Sequence, residues 1–126
     1  MASELYEKGM ATRRKVLGSA HIEKRDASGG ELTRRLYEFV TEYAWGSVWS
    51  RPGLPLKIRS LITLGMLVAL DRPGELKGHI NGALNNGATP DEIYEVFLQS
   101  AIYCGVPAAH TGVCVAAEVF GERGLM

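Results

Sequence analysis

Apolar residues recur at helical spacing along most of the chain, and glycine and proline interrupt them at intervals. Leu5, Met10, Val16 and Leu17 predict a first helix over residues 4–17, ended by Gly18. Its apolar stripe is sparse, as expected of a helix that packs over others or reaches a partner subunit. Ser19 to Gly30 is polar and reads as a loop. Ser28-Gly29-Gly30-Glu31 has the spacing of a capping box, with Ser28 as N-cap and Glu31 reaching back. Leu32, Leu36, Phe39, Val40 and Tyr43 then predict a second helix to about Trp45. An aromatic-rich turn follows through Arg51, and Pro52-Gly53 stops any helix there.

The centre of the pattern is Arg59 to Gly87. Leu54-Pro55 opens a helix whose stretch from Ser60 to Leu70 carries no charge. Those 11 residues fall well short of the roughly 20 that span a bilayer, so a buried helix is expected. Asp71 and Arg72 break the run, and Pro73 stands at the first position of another helix. Asn85-Asn86-Gly87 closes it. Thr89-Pro90-Asp91-Glu92 combines a second capping box with proline at the first helical position. Ile93, Val96, Phe97, Ser100, Ala101 and Cys104 mark one face of the helix that follows, which Gly105 ends. Pro107 starts the last helix, where Val113, Ala116, Ala117 and Phe120 are expected to point inward. Its small residues, such as Ala108, Ala109 and Gly112, permit close helix approach. No segment alternates as a strand does, so the chain reads as all-α, about six helices, in one domain over residues 1–126.

Composition narrows the function. Hydrophobic residues make up 46% and charged residues 22%, the balance of a soluble globule rather than a disordered chain. Fourteen Lys and Arg balance fourteen Asp and Glu without clustering, which leaves no footprint for nucleic acid or an anionic membrane. The opening MASELYEKGMATRRKVLG has no apolar core of signal-peptide length, so a cytoplasmic protein is expected. Cys104 and Cys114 form no CxxC pair, and neither they nor the scattered His21, His79 and His110 have metal-ligand spacing. Both cysteines read as buried, inert packing residues.

The candidate chemistry is compact. Glu75 and His79 lie four apart on one helix face, where a carboxylate can orient an imidazole and raise its basicity. Such a pair also occurs as a plain surface pair. Lys57 and Arg59 fall in the first turns of their helix, where cations oppose the dipole. Trp45 and Trp49 are either core aromatics at a helix end or the rim of a pocket. No phosphate-binding glycine loop, nucleophile elbow or dinucleotide fingerprint is present.

Several segments together carry a resemblance. They are Glu42-Tyr43-Ala44-Trp45-Gly46-Ser47-Val48-Trp49-Ser50-Arg51-Pro52-Gly53-Leu54, Arg59-Ser60-Leu61, Arg72-Pro73-Gly74-Glu75-Leu76, His79, Gly82 to Gly87, Glu92-Ile93 and Tyr103 to Ala109. The combination resembles the 4-carboxymuconolactone decarboxylases over nearly the whole chain. The resemblance implies an all-helical fold shared with the alkylhydroperoxidase-D proteins and assembly into a ring, commonly a homohexamer. The peroxidase branch carries Cys-x-x-Cys-x-x-x-His with a glycine eight residues on. His79 and Gly87 keep that spacing here, but Arg72 and Glu75 replace the cysteines, which removes the redox centre.

The substrate implied is a small lactone bearing two carboxylates, from the protocatechuate branch of aromatic catabolism. Its decarboxylation needs no metal or other cofactor, because the lactone carbonyl is itself the electron sink. On this reading His79 donates the proton and Glu75 orients it. Arg59 and Arg51 hold carboxylates, and Trp45, Trp49 and Tyr103 wall the pocket. Three rivals remain open. One is a relative acting on another carboxylated lactone or keto acid, another a thiol-dependent peroxidase using Cys104. The third is a non-catalytic ring that binds a small ligand.

Overall fold

A computed structural model of the chain describes residues 2–126. Its α-helices are α1 (Glu4–Leu17), α2 (Ser19–Ala27), α3 (Glu31–Val40), α4 (Leu56–Ala69), α5 (Pro73–Asn85), α6 (Pro90–Cys104) and α7 (Val106–Glu122). A π-helix, Thr41–Trp49, continues α3. The fold is all-α, with seven α-helices and no strand among the described residues, one helix more than the hydrophobic pattern predicted. The helices divide into two compact units, one up to Leu56 and the other from Lys57 to Met126.

In the first unit the Ser3 hydroxyl caps α1 by accepting from the Tyr6 amide at 3.0 Å. Gly18, at φ 84, ends α1 and opens α2. The expected loop over 19–30 is therefore mostly helix. Its Ala, Glu, Lys and Arg are good helix formers, but Ile22 is its single buried residue, too little for a hydrophobic period to register. The Ser28 capping box does not form either. The Ser28 hydroxyl donates backward to the Arg25 carbonyl at 2.7 Å, and Gly30, at φ 65, stands at the start of α3. The Gly29 amide meets the Thr33 hydroxyl instead, at 2.8 Å.

The expected aromatic turn is the π-helix, seen in the bond from the Ser50 amide to the Trp45 carbonyl five residues back (3.1 Å). α1 lies against it backbone to backbone. A Cβ on Gly9 would overlap the Thr41 carbonyl oxygen, and one on Gly46 would come within 2.5 Å of the Leu5 carbonyl. Beside that contact Arg13 is 1% exposed. Its guanidinium forks onto Asp26 at 2.6 and 3.0 Å, donates to the Thr41 hydroxyl at 3.1 Å, and lies 4.9 Å from the Tyr37 ring centre. A salt bridge thus occupies the middle of this unit, where the sequence pattern pointed only to apolar positions.

The second unit has the apolar core. Leu64 and Val68 of α4 meet Leu76, Ile80 and Ala83 of α5, Ile93 and Phe97 of α6, and Ala116, Val119 and Phe120 of α7. The uncharged stretch of α4 from Ser60 on is not buried all round. Ser60, Leu64 and Val68 form its buried stripe, while Ile58, Ile62, Met66 and Leu70 are exposed on this chain. Val113, expected inward, is likewise exposed, because α7 buries the stripe Ala109, Gly112, Ala116 and Val119 instead.

The predicted corners hold. Asp71 (φ 55) ends α4 with bonds from its own amide to Val68 and from the Arg72 amide to Leu67, and Gly87 (φ 91) ends α5 the same way. The Thr89–Glu92 capping box is complete, at 3.1 and 2.9 Å. The other Glu92 oxygen takes the Lys57 ammonium at 2.9 Å, which fixes the start of α4 to the start of α6. Lys57 and then the Thr89 amide hold the Glu92 carboxyl below its ordinary pKa.

Candidate active site

Pro73 at the first position of α5 fixes the helix start, so the rotation of every later side chain about the axis is set. Leu76 and Ile80 turn into the core and are 2% and 0% exposed. Glu75 and His79 share the adjoining face and are half-buried. The carboxylate lies in the first helical turn, where the dipole favours negative charge. His79 follows one turn later, with its Nδ1 shielded from solvent. Two further turns along the same face, the Asn86 amide nitrogen donates to the hydroxyl of Ser60 at 2.9 Å. Ser60 is fully buried, and its neighbour Arg59 is half-buried with a solvent-shielded Nε. The second unit therefore holds the predicted acid–base pair and one predicted carboxylate ligand, with α4 and α5 tied by Ser60 and Asn86. Sequence reading missed that tie, since Asn85-Asn86-Gly87 signalled a helix end and nothing more.

Tyr103 lies in the last turn of α6 with 81% of its surface exposed. Both cysteines are exposed, against the expectation of buried packing. Cys114 lies on the uncovered side of α7, and its sulfur is 3.6 Å from Nε2 of His110 one turn earlier. No cluster of His, Cys, Asp and Glu suited to a metal ion occurs among the described residues.

The first unit holds the other predicted residues. Trp45 is buried and Trp49 half-buried, stacked at 4.5 Å between ring centres with 22° between planes. The seven-residue aromatic cluster is thus both readings at once, one ring in the core and one toward the surface. The Ser50 hydroxyl donates to the Trp45 carbonyl at 2.7 Å and stands 2.7 Å from the Thr12 hydroxyl. Since Ser50 spends its proton on Trp45, Thr12 is the donor of that second bond. Arg51 follows, exposed, on the wall of an open cavity of about 420 Å³ that Trp49, Pro52, Leu54, Pro55 and Lys15 also line.

A half-buried imidazole with a carboxylate one turn away can deliver and recover a proton, and arginine can hold a carboxylate. That chemical capacity agrees with the chain's relatives. The carboxymuconolactone decarboxylase family matches residues 34–118. The 4-carboxymuconolactone decarboxylase of Acinetobacter baylyi is 39% identical over 95% of this chain and 90% of its own length. A nitrosuccinic acid decarboxylase of Metarhizium robertsii is 41% identical over 94% of this chain and 80% of its own. An uncharacterised 15.0 kDa protein of Paracoccus denitrificans is 34% identical over 67% of this chain and 64% of its own. With the family's pattern spanning two thirds of the sequence and near full-length similarity to the first two of these proteins, this chain belongs to the carboxymuconolactone decarboxylase family.

Proposed function

We propose that the protein is a carboxy-lyase that decarboxylates a carboxylated muconolactone, 4-carboxymuconolactone to 3-oxoadipate enol-lactone, in protocatechuate catabolism in the cytoplasm. The observation that carries the reading is the near full-length similarity to two decarboxylases whose named substrates call for the same chemistry. Loss of carbon dioxide from a carboxymuconolactone leaves a dienolate with its charge on the lactone carbonyl oxygen. Loss of the carboxylate beside the nitro group of nitrosuccinic acid leaves an anion with its charge on nitro oxygens. Each substrate carries its own electron sink, so the protein's tasks are to hold carboxylates, stabilise an oxyanion and protonate carbon.

In the lactone reaction, the bond from the ring carbon to the departing carboxylate breaks and its electron pair enters the ring. The double bond shifts, and charge gathers on the carbonyl oxygen. Protonation of the carbon beside that carbonyl completes the product. His79 supplies the proton, and Glu75 holds the imidazole in place and steadies its charge. Arg59 and Arg51 bind carboxylates as planar forks, and Trp49 and Tyr103 present apolar surface to the substrate, with Trp45 buried behind Trp49. The working form is a homo-oligomeric ring, most simply a hexamer.

The relative named for nitrosuccinic acid favours a second reading, in which this chain accepts another acid whose carbanion is equally delocalised. Carbon dioxide release measured with 4-carboxymuconolactone and with nitrosuccinate separates the two. Turnover of the lactone alone supports the first reading, turnover of nitrosuccinate alone supports the second, and release from neither overturns both.

A further inference from the structure

The cavity at the end of α1 is unusual in its charge. Two cations, Lys15 and Arg51, line it, and no Asp or Glu does. Among the described residues Lys15 forms no ion pair and no hydrogen bond. It stands in the last turn of α1, where Arg14 already supplies a cation to the carbonyl end of the helix dipole. Its ammonium therefore pairs with no carboxylate among the described residues.

The rest of the wall is Trp49, Leu54, Leu56 and two prolines, with the Thr12 and Ser50 hydroxyls. Trp49 is stacked against the buried Trp45, which holds the indole in one orientation. Pro55 and its neighbour Leu54 line the same cavity from a segment whose backbone the prolines restrict. The Thr12 and Ser50 hydroxyls are engaged with each other and with the Trp45 carbonyl, so charge recognition falls to Lys15 and Arg51. The carbonyl end of α1 repels an anion, and Lys15 and Arg51 on the wall, with Arg14 of the same turn, offset that repulsion.

We propose that this cavity binds a small dicarboxylate, with its carboxylates on Lys15 and Arg51 and its carbon body against Trp49. Lys15 is the new element. The inference rests on the proposed function only for the choice of dicarboxylate and requires no turnover. Preorganised walls and two point charges suit a ligand with two anionic ends and a flat apolar middle, and suit a compact inorganic anion poorly.

The experiment is calorimetric titration of the full chain with maleate, a flat dicarboxylate, beside acetate and inorganic phosphate. Tryptophan emission is the second readout, since Trp45 and Trp49 are the protein's two tryptophans. Maleate should saturate and change the emission, with affinity at least about tenfold above that of acetate or phosphate. Lys15→Met and Arg51→Met should each weaken maleate by about tenfold or more, as loss of a charge-assisted contact does. Lys15→Arg should stay close to the parent, and Lys15→Glu should abolish binding; Lys15 is exposed, so folding is not at stake. No maleate binding, unchanged affinity in Lys15→Met, or phosphate binding as tight as maleate overturns the proposal. Maleate binding without lactone turnover would sink the proposed function and leave this inference standing; turnover without Lys15-dependent binding would do the reverse.

Discussion

At the scale of single residues, the second unit carries its proposed acid–base pair on one turn of α5 and the first unit buries one guanidinium. If His79 protonates carbon, His79→Gln should lose roughly 10²- to 10⁴-fold in kcat, the usual share of one general acid–base group. KM should change little, because the proposed function assigns carboxylate binding to arginine. Glu75→Gln should lose less, since the amide still positions the ring but no longer balances its charge. Arg59→Lys should raise KM, because an ammonium cannot reproduce the planar fork. Steady-state kinetics of these three variants, with circular dichroism as the folding check, decide the assignment; a fully active His79→Gln moves the proton donor elsewhere. Arg13 poses a different test. It is 1% exposed and, among the described residues, pairs with the carboxylate of Asp26, so Asp26→Ala leaves a cation stranded in the interior. That variant should lose about 3–5 kcal/mol in urea unfolding, as broken buried ion pairs do. Asp26→Asn, which keeps an acceptor, should lose less.

At the scale of elements, the joint between α1 and the π-helix is set by two glycines. Gly9→Ala must push α1 away from the Thr41 carbonyl and from the Gly46 amide 2.7 Å from the added carbon. Backbone cannot rotate aside as a side chain can, so the loss should reach or exceed the roughly 1–3 kcal/mol typical of overpacking. Gly74→Ala, in α5 with nothing within 4 Å of the added carbon, is the control and should be neutral or slightly stabilising. Urea midpoints of the two variants check this. The same contrast explains what the sequence could reveal. The Thr89–Glu92 box, Pro73, Asp71-Arg72 and Gly87 act within four or five residues, so the ends of α4, α5 and α6 were legible. The Glu75–His79 face was legible for the same reason, being one helical turn. α2 was not, because helix-forming polar residues with a single buried isoleucine carry no hydrophobic period. Nor were the Arg13–Asp26 fork, the Ser60–Asn86 bond or the stacked tryptophans beside their cavity, each of which depends on tertiary packing rather than local spacing. The Ser28-Gly29-Gly30-Glu31 spacing misled because a capping box specifies a hydroxyl, while the glycines allowed the chain to turn by another route.

At the scale of the whole molecule, acid should lower the stability of the protein in two stages. Burial first, and then the Arg25 and Arg13 cations, lower the pKa of His21 from 6.5. Above 6.5 the imidazole is neutral folded and unfolded; as pH falls below it the unfolded chain takes the proton first, so stability declines until the folded value is passed. His21→Gln should flatten that first decline. The second begins below the ordinary carboxylate value of 4.5. Lys57 holds the Glu92 carboxyl down and Lys77 that of Glu118, and the unfolded chain is protonated before either. Urea midpoints across this pH range read both stages. The exposed apolar surface allows the proposed assembly to be tested. Each of three helices leaves an apolar stripe uncovered: Leu32, Leu36 and Phe39 on α3, Ile58, Ile62 and Met66 on α4, and Leu98 and Ile102 on α6. Ile102 is 78% exposed and Leu32 74%, values that make sense for surfaces that meet other copies. Light scattering at micromolar concentration should therefore give several times, and for a hexamer about six times, the 13.7 kDa of one chain. A charge on one stripe, Leu36→Glu or Ile102→Glu, should lower that mass while far-ultraviolet dichroism stays helical, because neither residue supports the core of its own unit. A parent protein that scatters as a monomer would overturn the ring, and the exposed stripes would then need a different partner.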